Sequence, residues 1–226
     1  MTRRDRPHQE FQRFMEVVVR LRKECPWDRE QTHQSIRHSL IEETYEVVEA
    51  IDNDDPDELK RELGDLMLHV ALHSVMAGEE GSFTVEDVLS ASTEKLIRRH
   101  PHVFGTVKAG TSGEVKSNWE KIKMSEGRQS LLDGIPKELP SLLRAHRTQD
   151  KVSKVGFDWK EKSAVWEKVN EEINELKSAE KEGDRAAVEE EFGDLLFSLV
   201  NYARFLHVNP ELALKKTIEK FTRRFR

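Results

Sequence analysis

The chain has little cysteine, few aromatics and no long apolar run, and these shortages exclude whole classes of protein. Cys25 is its only cysteine in 226 residues. That leaves no internal disulfide and no cysteine cluster for zinc. No span of ~18 or more uncharged apolar residues occurs, so a transmembrane helix is not expected. The start, Met1-Thr2-Arg3-Arg4-Asp5-Arg6-Pro7, is basic but has no apolar segment behind it, unlike a secretory signal. A cytoplasmic protein with no membrane partner is the expectation. Lys and Arg number 37 against 43 Asp and Glu, a formal charge of −6. This mild acidity speaks against a general nucleic-acid binder, and the one short basic cluster, Lys95, Arg98 and Arg99, does not reverse it.

What the chain does have is helical spacing almost throughout. Ile41, Tyr45, Val48 and Ile51 recur at three or four residues. So do Leu59, Leu63, Leu66 and Val70, and later Leu195, Leu199 and Tyr202. No run of alternating β-branched residues appears. Breakers separate the segments at Asp54-Asp55-Pro56, Gly78, Gly81, Pro101, Gly156, Gly183 and Pro210. An all-α fold is predicted. Residues 105–118 read as an irregular loop and 127–140 as a linker. The linker divides an N-terminal part, 1–126, from a C-terminal part, 141–226.

These two parts resemble each other. Glu42-Glu43-Thr44-Tyr45-Glu46 and Glu62-Leu63-Gly64-Asp65 return as Glu171-Glu172-Ile173-Asn174-Glu175 and Glu191-Phe192-Gly193-Asp194. The acids keep one constant offset, 171 − 42 = 194 − 65 = 129. Lys95 and Arg99 return as Lys220 and Arg224 at offset 125. Each part is predicted to hold an antiparallel helix hairpin, turning at Asp54 and at Gly183. Residues equidistant from a turn lie level on the two helices. Glu46 is then level with Glu62 and Glu43 with Asp65. In the second hairpin Glu175 is level with Glu191 and Glu172 with Asp194. Acids three apart share a helix face, about 4.5 Å apart along the axis. Four carboxylates are therefore expected to converge in each hairpin, flanked by Glu42 and Glu171. Gly64 and Gly193 are expected to permit close helix approach.

Four clustered carboxylates repel one another, and a divalent cation resolves the conflict. All-oxygen ligands with no His or Cys among them select Mg²⁺, with Mn²⁺ as a substitute, over zinc. Such a site suits a polyphosphate and an activated water. His69 and His73 are four apart but follow Asp65 along the hairpin seam, and are expected to pack rather than bind zinc. Cys25 has no identifiable base and is not expected to act as a nucleophile.

The acidic pattern resembles the all-α nucleoside triphosphate pyrophosphohydrolases, specifically the two-repeat MazG proteins. Cys25-Pro26-Trp27-Asp28, the two acidic motifs, Arg98-Arg99-His100-Pro101-His102-Val103-Phe104, Gly156-Phe157-Asp158-Trp159 and Phe221-Thr222-Arg223-Arg224-Phe225-Arg226 look like MazG segments in order. The resemblance implies two tandem repeats, and hydrolysis of NTPs or dNTPs to monophosphate and pyrophosphate in nucleotide-pool house-cleaning. It also implies Mg²⁺ dependence and a homodimer, with packing like a four-helix bundle across the dimer. Glu172, Glu175, Glu191 and Asp194, and in the first repeat Glu43, Glu46, Glu62 and Asp65, look like metal ligands. Glu171, Lys168 and Glu42 are the candidate catalytic residues. Lys168, Lys220 and Arg224 would meet the triphosphate, as would Lys95, Arg99, Trp119 and Lys123 in the first repeat. Ser39 stands at the position matching Lys168, which favours the second repeat. The second repeat stops two residues after Arg224, where the family usually continues with a WxxxK segment like Trp119 to Lys123, so it reads as shortened. These two departures motivate an alternative: a nucleotide-sensing or partner-binding module with reduced or lost turnover.

Overall fold

A computed structural model describes residues 6–127 and 130–226. Most of the basic start and two residues of the predicted linker lie outside the described residues. Among the described residues every regular element is a helix. None is long and apolar enough to cross a membrane.

The chain forms two compact units, Met1–Thr106 and Val107–Arg226. The first contains α1 (Arg6–Glu24), α2 (Pro26–Glu30), α3 (Arg37–Asp52), α4 (Pro56–Glu79), α5 (Val85–Arg99) and the short α6 (Pro101–Phe104). The second contains α7 (Ser112–Ser125), α8 (Ser141–Ser153), α9 (Lys162–Glu182), α10 (Arg185–Phe205) and α11 (Pro210–Phe225). The helix α7, read from sequence as the tail of the first part, belongs to the second unit. It lies beside α8, where Lys154 Nζ approaches Glu120 Oε1 at 3.9 Å.

In each unit the main packing is a helix pair, α3 on α4 and α9 on α10, with α1 or α8 laid against the later member. The change of offset from 129 to 125 has a simple origin. α4 spans 24 residues and α10 only 21, and the turn after α4 is one residue longer. The first unit centres on Val18, Ile36, Ala71, Leu72 and Met76, with Phe14, Met15, Leu68 and Val75 packed around them. The second buries smaller apolar residues, Val165, Val169, Ala179 and Val200. Much of the predicted apolar stripe is not covered within the chain. Ile41, Tyr45, Leu63, Met67 and Val70 on the first hairpin are exposed, as are Phe192 and Leu199 on the second.

Candidate functional site

Local chemistry sets the register of each hairpin. Asp54 and Gly183 adopt left-handed backbone, φ 53° and 74°. These are the two predicted turn centres. Glycine enters this region without steric cost, and Asp is among the few other residues that tolerate it. The next residue caps the following helix. Asp55 accepts from the Asp57 and Glu58 amides, and Asp184 from those of Ala186 and Ala187. With both turns pinned, the acids on the paired helices must meet.

They do so in two triplets. Oxygens of Glu43, Glu46 and Glu62 lie within 4.8 Å of one another, and so do oxygens of Glu172, Glu175 and Glu191. The fourth predicted acid of each set, Asp65 or Asp194, stands outside its triplet. Asp194 nevertheless lines a cleft of about 180 Å³ with Glu172 and Lys168. Asp65 is near enough to raise the Glu43 pKa. Gly64 and Gly193 do not mediate close helix approach, contrary to expectation. A Cβ at either would meet nothing within 4 Å.

The two triplets differ in charge balance. In the first, Glu62 is 7% exposed and no base stands at Ser39. Burial, then the charges of Glu46, Asp65 and Glu62, pushes the Glu43 carboxyl above its ordinary range. In the second, Glu172 is the buried member at 4% exposure. Lys168 Nζ lies 2.8 Å from its Oε1 and 2.6 Å from Glu171 Oε1. Hydrogen bonds to Glu171 and Glu172 raise the Lys168 pKa, so it stays cationic. Glu175 is still pushed up, by burial first and the Glu172 charge second, with Lys168 opposing. Converging carboxylates that resist ionisation, with no sulfur or nitrogen donor among them, fit a hard divalent cation.

The other predicted residues are placed less centrally. Lys95 and Arg99 on α5, and Lys220 and Arg224 on α11, do not line the clefts beside the acids. Trp119 and Lys123 line a charged groove of about 390 Å³ with Arg147, Asp150 and Lys154 of α8. Glu42 and Glu171 are exposed beside their triplets. The histidines pack: His33 and His73 stack at 5.0 Å with Nδ1 atoms 2.7 Å apart. Burial lowers the pKa of both His69 and His73.

Sequence reasoning missed the largest cleft near the acids. It has a volume of about 530 Å³ and lies between α8, α10 and the segment 156–159. It shares Trp159, Phe197 and Asn201 with the smaller cleft that holds Lys168, Glu172 and Asp194. Arg204 braces its wall, donating Nη1 to Asp158 Oδ2 at 2.9 Å and Nε to Asn201 Oδ1 at 3.1 Å. A signal for it was present in the repeat. At offset 129, Asn201 and Arg204 match Leu72 and Val75. In the first unit those two residues are part of the apolar core. The two repeats therefore differ in polarity at these matched positions.

Comparison with known proteins agrees with this repeat architecture. The sequence matches the MazG nucleotide pyrophosphohydrolase domain over residues 31–104 and 160–226, one match in each unit. It is 48% identical over 221 residues to the nucleoside triphosphate pyrophosphohydrolase/pyrophosphatase MazG of Thermotoga maritima, covering 96% of this chain and 84% of that one. It is 46% identical over 226 residues to the nucleoside triphosphate pyrophosphohydrolase of Escherichia coli K12, covering 96% and 86%. It is also 48% identical over 224 residues to the uncharacterised protein YabN of Bacillus subtilis, covering 96% of this chain and 46% of YabN. With two acid-bearing hairpins, a domain match on each and relatives this similar over 96% of this chain, the chain belongs to the MazG nucleotide pyrophosphohydrolase family.

Proposed function

We propose that this protein is a nucleoside triphosphate pyrophosphohydrolase, cleaving NTPs or dNTPs to monophosphate and pyrophosphate at its second hairpin. The observation that carries this reading is the juxtaposition there of three elements: the Glu172, Glu175 and Glu191 triplet, Lys168, and a nucleoside-sized cleft. The first hairpin has a triplet and a cleft lined by Glu46, Glu58 and Glu62, but serine, Ser39, at the lysine position. Glu172, Glu175 and Glu191 are the Mg²⁺ ligands in this reading, with Asp194 contributing from the cleft wall and Mn²⁺ as a substitute ion. When bound, the ion neutralises triphosphate charge and lowers the pKa of a coordinated water. Lys168, kept charged by its carboxylate partners, donates to a phosphate oxygen and stabilises charge that develops in the transition state. Glu171 orients the attacking water and takes its proton. Water oxygen bonds to the α-phosphorus, the bond to the bridging oxygen breaks, and pyrophosphate leaves. Lys220 and Arg224 supply further cations for the triphosphate.

Hydrolysis in ¹⁸O-water tests the bond choice. Label in the monophosphate, with pyrophosphate as the other product, is expected. Diphosphate plus phosphate, or label in pyrophosphate, contradicts it.

The first hairpin supports a different role. Glu43, Glu46, Glu62 and Asp65 bind a divalent ion, but with Leu72 and Val75 where Asn201 and Arg204 stand in the second unit and Ser39 in place of a lysine, this repeat does not turn over. Glu42, Lys95, Arg99, Trp119 and Lys123 are then not catalytic in this chain, and any nucleotide bound there is sensed rather than cleaved. We take the repeats as 1–126 and 141–226, joined by 127–140. The packing of α7 on α8 carries the end of the first onto the second.

The exposed apolar faces of α3, α4 and α10 support a homodimer, because a two-helix hairpin buries little alone and closes readily into a four-helix arrangement. Light scattering after size exclusion is expected to give twice the 26.3 kDa chain mass. A monomer at micromolar concentration rejects this assembly. A cytoplasmic location fits a nucleotide-pool enzyme with a single, unpaired cysteine.

A further inference from the structure

A buried amide beside the second acid triplet leaves half of its hydrogen bonding unused. Gln149 on α8 is 5% exposed. Its Nε2 donates to the Phe197 carbonyl at 2.8 Å, which fixes the orientation of the amide. Oε1 is buried, with under 1 Å² exposed, and accepts no hydrogen bond. Buried acceptors without a partner are rare in native proteins, and each one calls for a physical reason. Here the residue lines the 530 Å³ cleft that is continuous with the acid-lined one. Other polar groups on that wall are matched internally. Arg204 spans Asp158 and Asn201, and the Asn201 Oδ1 receives both its Nε and its Nη2.

The surroundings of this acceptor are planar and apolar. Trp159 and Phe197 are the two residues with aromatic rings common to both clefts. A flat heterocycle with an N–H on its edge satisfies both features, covering the rings and supplying the missing donor. We propose that Gln149 is a specificity residue for the nucleobase: its Oε1 accepts a hydrogen bond from a base N–H, the exocyclic amino group of adenine or cytosine in particular, while the triphosphate extends toward Lys168 and Glu172. This inference rests on the pyrophosphohydrolase reading above and adds the part of the substrate that reading leaves unassigned. It also confines base recognition to one repeat. Leu68, Leu72 and Val75 stand in the first unit where Phe197, Asn201 and Arg204 stand in the second.

The test compares ATP with purine riboside triphosphate, which lacks the 6-amino group, using the full chain with Mg²⁺ and following pyrophosphate release. Wild type is expected to favour ATP about tenfold in kcat/KM, expressed in KM, as one hydrogen bond to a buried acceptor allows. Gln149→Met, similar in length but without the acceptor, is expected to lose that preference while kcat on ATP stays within about twofold. Equal KM values for the two nucleotides in wild type, or a preference that survives Gln149→Met, overturns the assignment and leaves the hydrolase reading intact. No pyrophosphate from either nucleotide in wild type overturns the hydrolase reading and the assignment with it. If Gln149→Met fails to fold, shown by loss of the far-UV helical signal, the wild-type comparison alone decides.

Discussion

Glu172→Gln is expected to reduce pyrophosphate release by about 10²–10³-fold, whereas Glu43→Gln leaves it within about twofold. Both substitutions remove one charge from a triplet and keep the side chain's size. They differ in what surrounds the lost charge. Glu172 is the buried member of its triplet and a hydrogen-bond partner of Lys168. Its loss weakens ion binding and removes one of the two charges that hold Lys168 in place. Glu43 belongs to a triplet with serine, Ser39, at the lysine position and with Leu72 and Val75 where Asn201 and Arg204 stand in the second unit. Steady-state assays of the two single variants, with circular dichroism to verify folding, separate the repeats. Loss of turnover in Glu43→Gln alone would place the chemistry in the first hairpin and reverse the assignment.

Chelating the divalent ion is expected to abolish turnover, and stability is expected to depend on pH in opposite ways with and without it. Glu43 and Glu175 both have carboxyl pKa values above the ordinary range in the folded protein. Folding therefore favours their protonated forms. In metal-free protein their contribution is fully present below the unfolded-state value, ~4.3, and is lost as pH rises through their raised folded-state values. A cation acts in the other direction. It competes with protons for the same oxygens and stabilises the fold by mass action once the carboxylates ionise. Addition of Mg²⁺ should thus raise the melting temperature most near neutral pH and hardly at all near pH 4. Thermal melts across that range, with Mg²⁺ and with a chelator, read this directly. A gain that grows as pH falls would show that the ion acts elsewhere.

The pairing of the hairpins was legible because it depends on local chemistry. Asp54 and Gly183 are turn residues, Asp55 and Asp184 are strong caps, and helical periodicity carries Glu46 and Glu62 to equal heights above the turn. The same arithmetic set Asp65 and Asp194 level with Glu43 and Glu172, and their oxygens stand outside the two triplets, because level positions along the axis say nothing about rotation around it. The glycines between the acids were misread for a related reason. A glycine in a helix can mark close packing, but only the packed neighbour reveals whether anything approaches, and here nothing does.

Sequence by itself determined that this is a helical repeat protein with two acid hairpins. Composition, spacing and capping act within a few residues of each other, and a repeat exposes them twice. Ser39 against Lys168 already set the hairpins apart in the sequence, and the tertiary structure added what packs around each. Whether α8 and α10 frame a cleft with Asn201 and Arg204 in its wall depends on side chains far apart in the chain: Gln149 with Phe197, and Asp158 with Arg204. Contacts of that range carry no periodic signature, so they become visible only when the helices are packed together.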